Sequence, residues 1–151
     1  MADFSNIDLK NAFLEKEWVI TIQTPVQGQD QLLAAMRKGI DLKQGHYDCC
    51  LHLSATGEQQ FRALEGSHAG DEKTVQSVPT VDITISIAAD EQVLRDTLAI
   101  ILQYHVHEEP TIRISECWGM RSKYTGDRDN PNKYWNRADA HDIHGTVVSE
   151  G

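Results

Sequence analysis

Val81-Asp82-Ile83-Thr84-Ile85-Ser86-Ile87-Ala88 opens the stretch whose reading decides the fold. Val81, Ile83, Ile85 and Ile87 alternate with Asp82, Thr84 and Ser86, so an extended chain puts β-branched apolar groups on one face and polar groups on the other. The strand can be traced back to Val75. Asp90 then offers a side-chain oxygen to a following helix. From Glu91 to Tyr104 the period changes, with Val93, Leu94, Leu98, Ile101 and Leu102 at helical spacing. Beyond it, Thr111 to Trp118 returns to a strand pattern, with Ile112 and Ile114 on one face. One strand–helix–strand unit is therefore expected here.

A second unit lies upstream. Trp18 to Thr24 reads as a strand through Ile20 and Ile22, and Pro25 ends it. Gly28 to Ile40 reads as a helix, with Leu32, Leu33, Met36 and Ile40 on one face and Asp30 suited to its first turn. His46 to Ser54 alternates cleanly and predicts a strand. Ala55 to Glu58 predicts a turn, and Gln59 to Leu64 a returning partner strand. Glu65 to Lys73 is a polar connector with Gly66 and Gly70. Ser5 to Leu14 is expected to form a short helix, Ser5 and Asp8 serving as its cap pair.

This order predicts an α+β fold, a ferredoxin-like (split βαβ) sandwich with an extra β-hairpin and an irregular C-terminal tail. Two helices would cover one face of a mainly antiparallel sheet. Asp82, Thr84 and Ser86 would lie on the open face, available to water or to another subunit. The expected organisation is an N-terminal extension at residues 1–17, the ferredoxin-like domain at 18–118, and a tail at 119–151. In the tail the periodicity stops, and Tyr124, Tyr134 and Trp135 stand as isolated aromatics.

Bulk properties narrow the partners. The 151 residues carry 14 basic and 23 acidic side chains, a net charge of −9 with His neutral. Such a surface repels phosphate backbones, so no nucleic-acid partner is expected, whereas cations and basic protein surfaces are accommodated. The apolar runs are short and interrupted, so no membrane partner is expected, and the acidic start lacks the apolar core of a secretion signal. Cys49, Cys50 and Cys117 suit reduced thiols. A cytoplasmic location follows as the expectation.

Several blocks then resemble a known family. Gly45-His46-Tyr47-Asp48-Cys49-Cys50, Thr56-Gly57, Phe61-Arg62-Ala63-Leu64-Glu65-Gly66 and His105-Val106-His107-Glu108-Glu109-Pro110 follow one another in order. This order resembles the inserted domain of the YqfO family (Nif-three-like, GTP cyclohydrolase type 2-like), which typically reads G-x-Y-x-x-C, then T-G-T-F-x-P-L-E-G, then H-P-Y-E-E-P. The resemblance covers roughly residues 18 to 118. That inserted domain is in turn similar to the CutA and PII proteins, so the resemblance implies a CutA/PII-like subunit and self-association as a homotrimer. Val106 and His107 stand where the family has Pro and Tyr. The larger family's two-metal site belongs to the halves that flank the inserted domain, so its hydrolytic chemistry is not implied for these residues.

The densest set of metal-capable groups is His105, His107 and Glu108, where the second helix ends and the last strand begins. Two imidazoles and a carboxylate suit a divalent transition metal. A structural reading stands beside this one: histidine favours a helix C-terminus through the dipole, and Glu109-Pro110 marks the turn. Ligand-binding candidates are Gly66, His68 and Gly70, whose loop lets backbone amides converge on an anion, and His46. Glu65, Asp71 and Glu72 oppose phosphate there. His141, Asp142 and His144 form a weaker metal-capable set in the tail. No nucleophile elbow, phosphate-binding loop or dinucleotide fingerprint occurs, and no catalytic residues are assigned.

The expectation is a non-catalytic regulatory or binding module, an oligomer that takes a metal ion, a small metabolite or a protein partner. Two alternatives are a small metal-dependent hydrolase and a structural protein-interaction domain.

Overall fold

The computed structural model describes residues 1–125, 128–143 and 145–148. The elements run β1 (Ala12–Pro25), a single 3₁₀ turn (Val26–Gly28), α1 (Gln29–Gly39), β2 (His52–Leu53), β3 (Gly57–Phe61), β4 (Gln76–Ala88), α2 (Glu91–Tyr104) and β5 (Ile112–Ser122), then a second 3₁₀ turn (Tyr134–Asn136) and α3 (Ala140–Ile143). The chain divides into two compact units, residues 17–117 and residues 1–16 with 118–151. No helix among the described residues is long and apolar enough to cross a membrane.

In the larger unit one sheet has the order β2–β4–β1–β5, with β3 also paired to β4. β4 runs antiparallel to β1, β2 and β3, with Ile22 opposite Ile83 and Leu53 on the other side of Ile83. Gln23 N–H donates to Thr111 C=O at 3.0 Å, and Cys117 Sγ lies 3.7 Å from Glu17 Oε1, so β5 is antiparallel to β1. β1 and β2/β3 are thus parallel strands with β4 between them, and β4 and β5 are parallel strands with β1 between them. Two split βαβ units interleave, which is the ferredoxin-like fold.

The period-two faces sort as their residues require. Ile20, Ile22, Ile83, Ile85 and Ile87 form one core with Leu32, Leu33 and Met36 of α1, Ile40 and Leu42 after it, and Ile101 of α2. Both helices therefore cover the same face. Asp90 caps α2, accepting the Val93 N–H at 3.0 Å. α1 carries no side-chain cap, but Asp30 in its first turn and Arg37 and Lys38 in its last suit the dipole.

Three expectations for local structure are corrected. The strand expected over His46–Ser54 shrinks to His52–Leu53, because Gly45 and Cys49 take left-handed backbone conformations (φ 59° and 56°) that no strand accommodates. The segment after the turn does not return on this strand. β3 pairs with β4, continuing the edge that β2 begins, with the register shifted by one residue between them. Ser54 spans that bulge: its N–H donates to Asp82 C=O at 3.0 Å, and its hydroxyl accepts the Asp82 N–H at 2.8 Å. Finally, Ser5–Leu14 is not helical. Ser5 N–H bonds Asp3 Oδ1 instead, and Ala12 to Leu14 already belong to β1.

In the smaller unit Trp118 is the organising side chain. Its indole N–H donates to Ala2 C=O at 2.8 Å, Phe4 lies 5.8 Å away ring to ring, and the Lys16 ammonium stands 5.6 Å over the ring.

Candidate functional site

The interleaved topology brings six ends to one end of the sheet: the end of β1, the start of α1, the end of β3, the start of β4, the end of α2 and the start of β5. The two candidate segments lie there, the loop after β3 and the turn after α2.

They meet through one carboxylate. Glu108 Oε1 accepts the backbone N–H of His68 at 2.8 Å, and His68 Nδ1–H donates to Glu108 Oε2 at 2.7 Å. The Ala69 amide adds to the same carboxylate. The glycine-flanked loop thus folds its amides around an anion, and the anion is supplied by the protein's own turn. Gly66 and Gly70 make the path possible with φ of 96° and 101°. Farther along, Gln76 Oε1 accepts the Asp71 N–H at 3.0 Å, and Asp71 accepts from Lys73 N–H and the Thr74 hydroxyl.

The pair shapes its own charge. The hydrogen bond from His68 holds Glu108 below the usual carboxylate range, and Glu108 raises His68 above the ordinary imidazole value. The raised His68 stabilises the contact below 6.5, its unfolded value, and loses that effect as pH rises through its folded value. The lowered Glu108 contributes above 4.5 and loses its effect as pH falls through its folded value. Docking of the loop is therefore strongest between the two folded values. Both groups are largely exposed, so pH acts on the loop more than on the global melt. Glu108→Gln is expected to lower the His68 titration midpoint and to speed exchange of the 66–70 amides, followed by proton NMR.

His105 plays a different part. It is buried, its Nε2–H donates to Gln23 C=O at 2.7 Å, and its Nδ1 accepts the His107 N–H at 3.0 Å. The two bonds set Nε2 against the β1 carbonyl and Nδ1 against the turn's own amide, and so pin the turn to the end of β1. Both ring nitrogens are thereby engaged by backbone. His107 is half-buried, its ring centroid 5.5 Å from His105 and 6.5 Å from Phe61. Loss of hydration, then the neighbouring His105, pushes its pKa down, so it stays neutral at physiological pH. Among the described residues no group of three or more His, Cys, Asp or Glu side chains is placed to hold a metal ion.

The remaining candidates lie apart. His46 is exposed in the turn closed by Gln44 and Tyr47, on the connection from α1 to β2. His141 Nε2 lies 3.1 Å from Asp142 Oδ1 in α3, and His144 lies outside the described residues. Gln76 and the Gln23 carbonyl support the site but were not singled out by sequence, because an amide and a backbone group carry no spacing signal; Phe61, which heads one of the resembling blocks, was not assigned to the site.

Gly70 gives a direct test of the loop path. A Cβ there would lie 3.0 Å from Ala63 Cβ and Gln76 Oε1 and 3.2 Å from Phe61 Cε2. Gly70→Ala is expected to cost about 1–3 kcal/mol through backbone strain and crowding. Gly66 faces open space, so Gly66→Ala carries the left-handed penalty alone, about 1–2 kcal/mol. Urea unfolding of the two variants measures the difference.

No protein-family model matches this chain, and no curated protein matches it by sequence. Among solved structures, a Bacillus cereus protein related to NIF3 matches with a TM-score of 0.57 at 20% identity, over 70% of this chain and 26% of that one. CutA1 from Oryza sativa matches with a TM-score of 0.49 at 13% identity, over 69% of this chain and 82% of that one. The Staphylococcus aureus protein SA1388 matches with a TM-score of 0.48 at 17% identity, over 77% of this chain and 27% of that one. This chain thus spans 26% of the length of the NIF3-related protein. That match establishes a shared fold, and the fold expected from the motif order is the one observed.

Proposed function

We propose that the chain is a non-catalytic regulatory or binding module, with residues 18–118 as its binding domain, that works in the cytoplasm as a homotrimer and takes a small anionic metabolite at the meeting of the Gly66–Gly70 loop and the His105–Pro110 turn. One observation carries this reading: the amides of His68 and Ala69 already converge on a carboxylate, that of Glu108. Backbone amides that hold one anion suit another of like size, and Glu108 then acts as the resident occupant that a ligand displaces. His68 and His107 would line the vacated position, the first as a cationic donor and the second as a neutral imidazole. Two of the three metal-capable groups at the turn are engaged internally, which favours an anion over a metal ion. The trimer rests on the resemblance of the motif order to CutA and PII subunits.

Calorimetric titration of the full chain with inorganic phosphate, AMP, ATP, Zn²⁺, Cu²⁺ and Ni²⁺ tests the reading. Anion binding that strengthens in Glu108→Gln is expected, because the substitution discharges the occupant. Absence of anion binding in both forms overturns it, and binding of metal alone transfers the site to the metal-ion alternative. Light scattering that returns a monomer at all concentrations removes the trimer.

A further inference from the structure

The open face of the sheet carries a hollow that the loop–turn site does not use. It is a cavity of about 160 Å³ lined by Thr21, Gln23, Asp82, Thr111 and Arg113. Thr21 and Gln23 alternate with the core residues Ile20 and Ile22, and Asp82 alternates with Val81 and Ile83, so these groups point away from the helices. Three neighbouring strands supply the lining: β4, β1 and the start of β5.

Opposite charges that share a hollow ordinarily close on each other. Here, among the described residues, neither Asp82 nor Arg113 takes part in an ion pair. Topology gives the reason. Asp82 stands opposite Gln23 on β1, and β5 lies on the far side of β1, so the two charges start two strand spacings apart, roughly 10 Å. Gln23 also holds the carboxylate back, its Nε2–H donating to Asp82 Oδ1 at 3.1 Å. This leaves Gln23 Oε1 as an acceptor beside Asp82. At the other pole, the Thr111 hydroxyl accepts from Gln59 Nε2 at 3.3 Å and keeps its own proton to donate beside Arg113.

We propose that this hollow binds a free α-amino acid with a small side chain, its ammonium at Asp82 and Gln23 Oε1 and its carboxylate at Arg113 and the Thr111 hydroxyl. The two poles are complementary to a zwitterion. A lone anion would leave Asp82 unanswered, and a lone cation would leave Arg113 so. Size sets the same limit: the cavity holds about five groups of water's volume, ~30 Å³ each. The net charge of −9 would by itself favour cations, and Arg113 is the group that admits a carboxylate.

Titration of the full chain with glycine, L-alanine and L-serine, against propionate and ethylamine as single-charge analogues, tests the proposal by calorimetry and ligand-observed NMR. The amino acids are expected to bind, with each analogue weaker by about tenfold or more, as expected for loss of a charged hydrogen-bonding partner. Asp82→Asn and Arg113→Gln should each weaken alanine by a similar factor with an unchanged circular dichroism spectrum. Glu108→Gln should leave it unaltered, which separates this site from the loop–turn site. The proposal fails if none of the three amino acids binds, if propionate binds as tightly as alanine, or if alanine binding survives both substitutions. Should a variant misfold, the analogue series on the unaltered chain decides the question.

Discussion

His105→Ala is expected to lower the free energy of unfolding by about 2–5 kcal/mol. The imidazole is buried and satisfies two backbone groups from distant parts of the chain, Gln23 C=O and His107 N–H. Truncation removes the partner that the Gln23 carbonyl and the His107 amide share at a buried position, and each such loss costs about 1–3 kcal/mol. The void of the ring adds to this. Urea denaturation at neutral pH measures the loss, and an effect below about 0.5 kcal/mol, the level of a surface substitution, would refute the anchoring role. His107→Ala is the comparison, since that side chain is only half-buried. The same variant has a local consequence. With the turn no longer tied to β1, Glu108 loses its fixed position, and the His68 titration should move back toward 6.5, its ordinary value.

The second large effect belongs to the core. Ile83 has no exposed surface, pairs with Ile22 on one side and Leu53 on the other, and stands in the strand that joins both split units. Ile83→Ala removes three carbons from a packed layer that has no slack to refill them, at a cost of about 2–5 kcal/mol. Ile114, on β5, is 45% exposed, and Ile114→Ala is expected to stay within about 0.5 kcal/mol. A midpoint shift without a change in denaturant slope identifies the first loss as one of packing.

Much of the fold is legible in the sequence. The β-branched alternation from Val81 to Ile87 and the helical spacing from Val93 to Leu102 each state their period over many residues, and both elements occur where that period places them. Leu32, Leu33 and Met36 announced the buried face of α1 in the same way. Short elements were less legible. Alternation from His46 to Ser54 is as regular as in any strand, yet left-handed turns at Gly45 and Cys49 break it, and a cysteine in that conformation carries no warning in its type. The pairing of β3 with β4 instead of β2 depends on a one-residue shift whose support is a serine hydroxyl, a contact between residues 28 apart.

The candidate site shows the same division. Residue type marked the Gly66–Gly70 loop and the His105–Pro110 turn separately. That they touch, through a carboxylate and an amide 40 residues apart, depends on how the strands interleave, which no local pattern encodes. Nor does composition distinguish a histidine with a free nitrogen from His105, whose partners are backbone atoms.

The register shift on the β2/β3 edge reaches beyond this one sheet. An outer strand with evenly spaced amides and carbonyls offers itself to any extended chain it meets, and stacking of copies through such rims is a route to insoluble fibres. Here that rim is interrupted. A newcomer aligned with His52–Leu53 falls out of step by one position at Gly57–Phe61, so it cannot bond along the whole length. Leu53 and Phe61, 38% and 36% exposed on this rim, would otherwise reward such an encounter. The register shift at Ser54 thus limits the length over which a second extended chain can pair with this rim.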